Sequence, residues 1–180
     1  VSLTATLVGL LGRREIAVTT VISGVTAFAW QSFTSFFPIF LVELHGLDQR
    51  QAGLVFGAVF VTAALALPIS GRLSDVFSRD AVLLTIVFAD ALGLGLFLVD
   101  VTPVTTVVGV AAIGVGMSWP GVIQSRFMDH LTDAERNTGF GLVRTIYMLI
   151  GSAGSVVTGT LADLAGWLVA YGVVVTLLVV

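Results

Sequence analysis

Six long apolar runs, separated by short polar connections, constrain this chain more than any other feature. They run from about Ile16 to Leu41, Ala52 to Ser70, Ala81 to Val99, Val104 to Ile123, Gly139 to Ala162, and from Trp167 to Val180. A bilayer core of about 30 Å takes roughly 20 apolar residues in a helix. The runs are long and lack the period-2 alternation of barrel strands, which are only about ten residues each. Glycine and proline inside several runs fit bilayer helices, which tolerate both. The sixth run is shorter: about 14 residues at 1.5 Å rise span about 21 Å. It is expected either to be a helix cut short or to end in a locally thinned bilayer.

Charge is scarce and carefully placed. The chain carries 8 basic and 11 acidic residues, and 57% of it is hydrophobic. Mean hydropathy is +1.07. Only 11% of residues are charged, against about 25% in a soluble domain. A net charge of −3 spread this thinly offers no basic face for a nucleic acid. With no cysteine, disulfides, thiol nucleophiles and thiolate metal sites are excluded. No metal site and no cofactor are read from the remaining residues. "GMSWPG" at 116–121 places a serine in a glycine-rich helix start. A Ser–His dyad needs a histidine at depth, and His45 and His130 both read as loop residues. The chain is therefore not read as an enzyme.

All eight bases are arginines, and their distribution orients the bundle. Arg13, Arg14, Arg72, Arg79, Arg126 and Arg136 fall in one set of loops, with Arg144 just inside the fifth run; the opposite loops hold only Arg50. The arginine-rich side is expected to be cytoplasmic. Residues 1–15 then form a cytoplasmic segment, either an interfacial helix or the tail of a preceding span. Residues 16–180 form the transmembrane bundle, expected in a prokaryotic plasma membrane. The chain opens on Val1, and its first apolar stretch lacks the basic start of a signal peptide. It is expected to begin within a longer protein.

The densest charge lies in "GRLSDVFSRD", residues 71–80, and "GTLAD" at 159–163 echoes its start. Each follows the second helix of a three-helix set, once on each side of the membrane, which makes an inverted repeat. Gly71 suits a tight turn, and Arg72 and Arg79 hold it on the arginine side. Asp75 is acidic among bases and is expected within ion-pair reach of a cation. Arg126 is the first choice, then Arg79, then Arg144. The other reading leaves all four charges of the stretch solvated at the membrane surface.

At these residues the chain resembles the major facilitator superfamily, specifically its C-terminal six-helix half. The family's loop signature is Gly-x-Leu-Ala/Ser-Asp-Arg-x-Gly-Arg-Arg/Lys. Gly71, Leu73, Ser74, Asp75 and Arg79 match it, while Val76, Ser78 and Asp80 depart from it. "FPIFLVELHGLDQRQAG" resembles the passage from the family's seventh helix into its eighth, and "GTLADLAGW" the turn from the eleventh into the twelfth. The resemblance implies an all-α membrane protein: six transmembrane helices as two inverted three-helix repeats, half of the family's fold. It implies a secondary transporter moving a small solute by alternating access, with an N-terminal six-helix half and the lipid bilayer as partners. A non-transporting six-helix module that binds a partner is the alternative.

The resemblance also implies that the first and fourth helices line the solute cavity. In the first, Thr20, Ser23, Ala27, Gln31, Thr34 and Pro38 recur at three- and four-residue steps, with Trp30 beside Gln31 at mid-depth. In the fourth, Gly109, Ile113, Gly116, Pro120 and Gln124 make a face, and Trp119 reads as an interfacial anchor or a ligand-stacking ring. Gln31 is expected on the same side as Thr34 and Gly116. Cavity candidates are thus Trp30, Gln31, Thr34, Trp119, Gln124 and Tyr147. Ser152, Ser155 and Thr158 of the fifth helix are further possibilities. Asp90 is the only acid deep in a run; it is a candidate for ion coupling or a structural aspartate. Gly151, Ser155 and Gly159, and likewise Gly53 and Gly57, read as close-packing faces.

Overall fold

Caps and turn residues set the helix boundaries. The computed structural model describes residues 3–180, and all regular structure among them is α-helical. The elements are α1 (Leu3–Leu11), α2 (Arg14–His45), α3 (Gln49–Val76), α4 (Arg79–Val99), α5 (Pro103–Gly116), α6 (Trp119–His130), α7 (Arg136–Ala165) and α8 (Trp167–Val179). α2 stops where Gly46 turns left-handed at φ 69°, a conformation glycine adopts without steric penalty. Asp48 and Gln51 then form a reciprocal capping box that starts α3. Thr102 and Thr105 do the same for α5, with Pro103 in the first turn. Ser78 caps α4 through the Ala81 amide, and Gly166, at φ 86°, turns α7 into α8.

Five stretches are long and apolar enough to cross a membrane: α2, α3, α4, the α5–α6 passage and α7. α8 is apolar but has 13 residues. The fourth passage runs from Pro103 to His130, seven residues beyond the expected end, and breaks at Met117–Ser118. Pro120 explains the break: it has no N–H for the Gly116 carbonyl four residues back. The Ser118 amide turns to Val115 O instead, and its hydroxyl bonds the same carbonyl and the Ser70 hydroxyl of α3.

The charged stretch at 71–80 corrects one expectation. Gly71 does not open a turn. α3 stays helical through Gly71, Arg72 and Asp75 to Val76, and the connection is Phe77–Ser78 alone. Its echo at 159–163 is likewise helical, forming the last turns of α7 before Gly166.

Glycines bring two helix pairs into close contact. Along α2 and α7, a Cβ on Gly151 would lie 2.7 Å from Ala27 Cβ, and one on Gly154 would lie 2.3 Å from the Phe28 carbonyl oxygen. Along α4 and α5, a Cβ on Gly93 would press on Ile113 and one on Gly109 on the Phe97 ring. Gly53 and Gly57 differ: nothing lies within 4 Å of either, so within this chain they are open surface rather than a packing face.

The core has two parts. One is a phenylalanine cluster of Phe33, Phe37, Phe40 and Phe97 with Tyr171. A polar network crosses it: Thr158 donates to the Ser32 hydroxyl, Ser32 to Gly154 O, and Tyr171 to Ser32 O. Every buried hydroxyl there finds a partner, as burial demands. The other part lies toward the arginine-rich end, around Leu10, Ile16, Trp119, Phe127, Val143 and Tyr147.

Candidate functional site

The first group of interest is a charge network at the arginine-rich end. Arg126 of α6 is buried and bonds two acids from other helices: Nη2 to Glu15 Oε2 and Nη1 to Asp80 Oδ1, both at 3.1 Å. Its Nε is buried without a partner. Arg79, at the start of α4, pairs through Nε with Asp129 near the end of α6, and its Nη1 is also buried and unpartnered. Three helices are thus fastened by two arginines.

This overturns the expected partner of Asp75. Asp75 is exposed and forms no ion pair among the described residues. The reason is helical phase. Ser70 and Ser74, four residues apart, take the inward face of α3, so Asp75 is rotated about 100° away from it. Arg72 is exposed as well. Arg126 does serve the expected bridging role, but toward Asp80 and Glu15. Their pairing with Arg126 is not legible in the sequence, because both acids lie far from it along the chain.

A fourth pair ties down α1. Arg13 grips Glu135 with both terminal nitrogens, Nη1 to Oε2 at 3.0 Å and Nη2 to Oε1 at 2.5 Å. Thr132 adds its amide and hydroxyl to Oε2. The Arg13 guanidinium, and after it the Thr132 amide and hydroxyl, lower the Glu135 pKa to about 2. The same pairing raises that of Arg13. Leu10 is buried beside Gly139, so α1 docks onto the start of α7. Of the segment 1–15, Val1 and Ser2 lie outside the described residues.

The second group is the set of mid-span polar residues. Gln31 lies close to the midpoint of α2, half-buried, and its amide has no hydrogen-bond partner among the described residues. Thr34 is half-buried and bonds back to Trp30 O. Trp30 packs edge-on to Phe60, with centroids 6.1 Å apart. Gln124 of α6 is exposed, as are Arg144 and Ser152 of α7. Trp119 and Tyr147, by contrast, are buried against each other, ring edge to ring face at 6.2 Å. Trp119 is therefore a core residue and no interfacial anchor.

The polar stripe on α2 divides. Thr20, Ser23 and Ala27 are buried, and Ala27 meets Gly151, so that half is helix-packing surface. Only Gln31, Thr34 and Pro38 remain partly open. Gly116 does not share their side. It is buried, and a Cβ there would lie 2.5 Å from Asp90 Cβ on α4. Thr158 belongs to the core network rather than to an open face. Asp90 is buried, 8% exposed, with no bonding partner among the described residues. Among the described residues no cluster of His, Asp and Glu could hold a metal ion.

The family model described as Major Facilitator Superfamily matches residues 19–180. The chain belongs to the major facilitator superfamily. Members of this superfamily are membrane transporters of small solutes, and the apolar helices make this chain an integral membrane protein. No curated protein matches the chain at a significant level. For a superfamily member, a polar mid-span position that the protein does not satisfy is where solute contact is first sought.

Proposed function

We propose that this chain is the C-terminal six-helix half of a secondary transporter, moving a small solute by alternating access against an N-terminal half. Its six passages are α2, α3, α4, the α5–α6 pair, α7 and α8, read as two inverted triplets. The reading is supported by the position of the two echoed motifs, each in the last turns of its triplet's second helix. The arginine asymmetry supports a cytoplasmic N-terminus, and the plasma membrane of a prokaryote is the location proposed with it.

One observation carries the proposal furthest: the unpartnered Gln31 amide at mid-depth in α2. An amide facing hydrocarbon without a hydrogen bond is strongly disfavoured, so a wet cavity or a solute is its natural surrounding. Trp30, Thr34 and Gln124 would join it on the solute path, with Trp119 and Tyr147 as the packed wall behind. α3 and α7 are the least buried of the long spans, 22% each, which leaves them the surface a second half would cover. Gly53 and Gly57 are small residues open on α3, suited to close approach by another helix.

The test is solute uptake in proteoliposomes. The chain alone should give no saturable flux, because rocking of two halves about a shared site is the mechanism. Co-assembly with an N-terminal half should give flux. Saturable uptake by the monomeric chain would overturn the two-half reading. Tight assembly without flux would favour a partner-binding module instead.

A further inference from the structure

Arg144 stands apart from the other bases. Arg13, Arg79, Arg126 and Arg136 each hold an acid. Arg14, Arg50 and Arg72 hold none among the described residues, but each lies within about a turn of a helix end, where water reaches it. Arg144 is exposed, forms no ion pair or hydrogen bond among the described residues, and lies about 12 Å along α7 from Arg136. α7 carries one acid, Asp163, near its far end. A charged side chain inside a membrane-spanning helix calls for a wet cavity or a counter-charge.

A groove of about 360 Å³ runs beside the guanidinium, lined by Gly141, Thr145, Met148, Leu149 and Ser152. That volume is within the range of small-molecule sites. Gly141 keeps it open, since a Cβ there would meet nothing within 4 Å. The groove lies on α7, one of the two least buried spans.

Tyr147 follows Arg144 at the three-residue spacing that makes helical side chains neighbours. It is close enough for the Arg144 charge to act on its hydroxyl. Its ring is held in place, edge to face with Trp119 at 6.2 Å and stacked on Phe127 at 6.3 Å. The ring is buried, yet the hydroxyl bonds no described residue and is not sealed from the surface. Thr145 and Ser152 commit their hydroxyl protons to Gly141 O and Leu149 O of the same helix. The free donors are therefore the Arg144 guanidinium and the Tyr147 O–H. A carboxylate matches them: its two oxygens accept the arginine fork and have lone pairs left for a further O–H. A cation would be repelled, and an uncharged solute would leave the guanidinium without a counter-charge.

We propose that Arg144 and Tyr147 form a carboxylate-binding site, and that the solute this chain handles is a small carboxylic-acid anion. Arg144 supplies the charge and the planar fork. Tyr147, held by Trp119 and Phe127, adds a hydrogen bond of fixed direction. Met148 and Leu149 offer apolar contact to the rest of the molecule. That the bound carboxylate is carried across the membrane rests on the transporter reading above, whereas its binding does not.

The experiment treats the chain in lipid nanodiscs with phenylglyoxal, which modifies arginine, and locates the modification by mass spectrometry. Acetate, succinate and benzoate are the probes, with benzamide as the uncharged counterpart of benzoate. The carboxylates should slow modification of Arg144 saturably, and benzamide should not. Modification of Arg72, exposed and free of ion pairs, should not change. Tyr147→Phe, which keeps the ring, should raise the half-protecting concentration about tenfold, the worth of one hydrogen bond to a charged group. The wild-type measurement stands even if the variant fails to fold. Modification of Arg144 that no carboxylate slows would overturn the proposal. Equal protection of Arg72 would overturn it too, because it marks ionic screening alone. Protection of Arg144 on assembly with an N-terminal half, with no carboxylate present, would overturn it in favour of an acid of that half. Flux in the two-half assembly separates the two readings. Saturable carboxylate uptake that is lost in Arg144→Gln supports both. Saturable uptake of an uncharged solute that carboxylates do not inhibit overturns the carboxylate site and leaves the transporter reading standing. Carboxylate protection of Arg144 without any flux upholds the binding site and refutes the transporter reading.

Discussion

Arg126 Nη1 stands 3.1 Å from Asp80 Oδ1, and only 8% of the Arg126 side chain is exposed against 66% of Asp80. The second acid, Glu15, is 52% exposed. Burial is thus one-sided, and the consequence of breaking the network depends on which partner is removed. Arg126→Met leaves two acids that water can rehydrate and should lower stability by about 1 kcal/mol. Glu15→Gln with Asp80→Asn leaves a buried guanidinium without a counter-charge, at a cost of about 3 kcal/mol. Each acid substitution alone should cost under about 1 kcal/mol, because the other acid remains. Thermal unfolding in detergent, run as a double-mutant cycle, reads the difference.

Glycine positions should separate into two classes. Gly154→Ala forces a methyl toward the Phe28 carbonyl oxygen, 2.3 Å away. Backbone cannot rotate aside, so about 1–3 kcal/mol should be lost. Gly53→Ala and Gly57→Ala meet nothing within 4 Å and should fall within about 0.5 kcal/mol of wild type. Their effect should instead appear on assembly with a second half. Unfolding midpoints and co-purification yields check the two parts separately.

The docking of α1 should depend on acid. The Glu135 pKa is lowered to about 2, mainly by Arg13, against 4.5 for an ordinary glutamate. A lowered pKa means the pairing contributes fully above about pH 4.5 and is lost as pH falls toward about 2. Amide exchange in α1, corrected for intrinsic rates, should accelerate through that window. In Glu135→Gln the same window should be flat.

Length and hydropathy made the helices legible in the sequence, because nothing but a helix satisfies some twenty apolar residues in a bilayer. Their ends were less legible. Gly71 reads as a turn but sits at a helical position, since Ser74 and Val76 continue α3 for another turn. The break at Met117–Ser118 was foreshadowed by Pro120, whose effect falls four residues upstream. Asp75 reads as paired because it is an acid among bases, whereas helical phase decides which side chain faces inward. Glu15 and Asp80 were missed for the opposite reason: each looks like an ordinary end-of-helix charge until the bundle brings Arg126 between them. Trp119 lies near a membrane end in sequence, yet Tyr147 of another helix covers it.

The central claim is that Gln31 faces the solute path, and the absence of cysteine makes it directly measurable. Single cysteines at Gln31 and at Phe88, a 65% exposed position on α4, would be placed in the chain co-assembled with an N-terminal half in proteoliposomes. A membrane-impermeant maleimide should label Gln31→Cys from both faces of the membrane and leave Phe88→Cys unmodified. Equal inertness of the two positions, with both reacting only with a lipid-soluble reagent, would contradict the account.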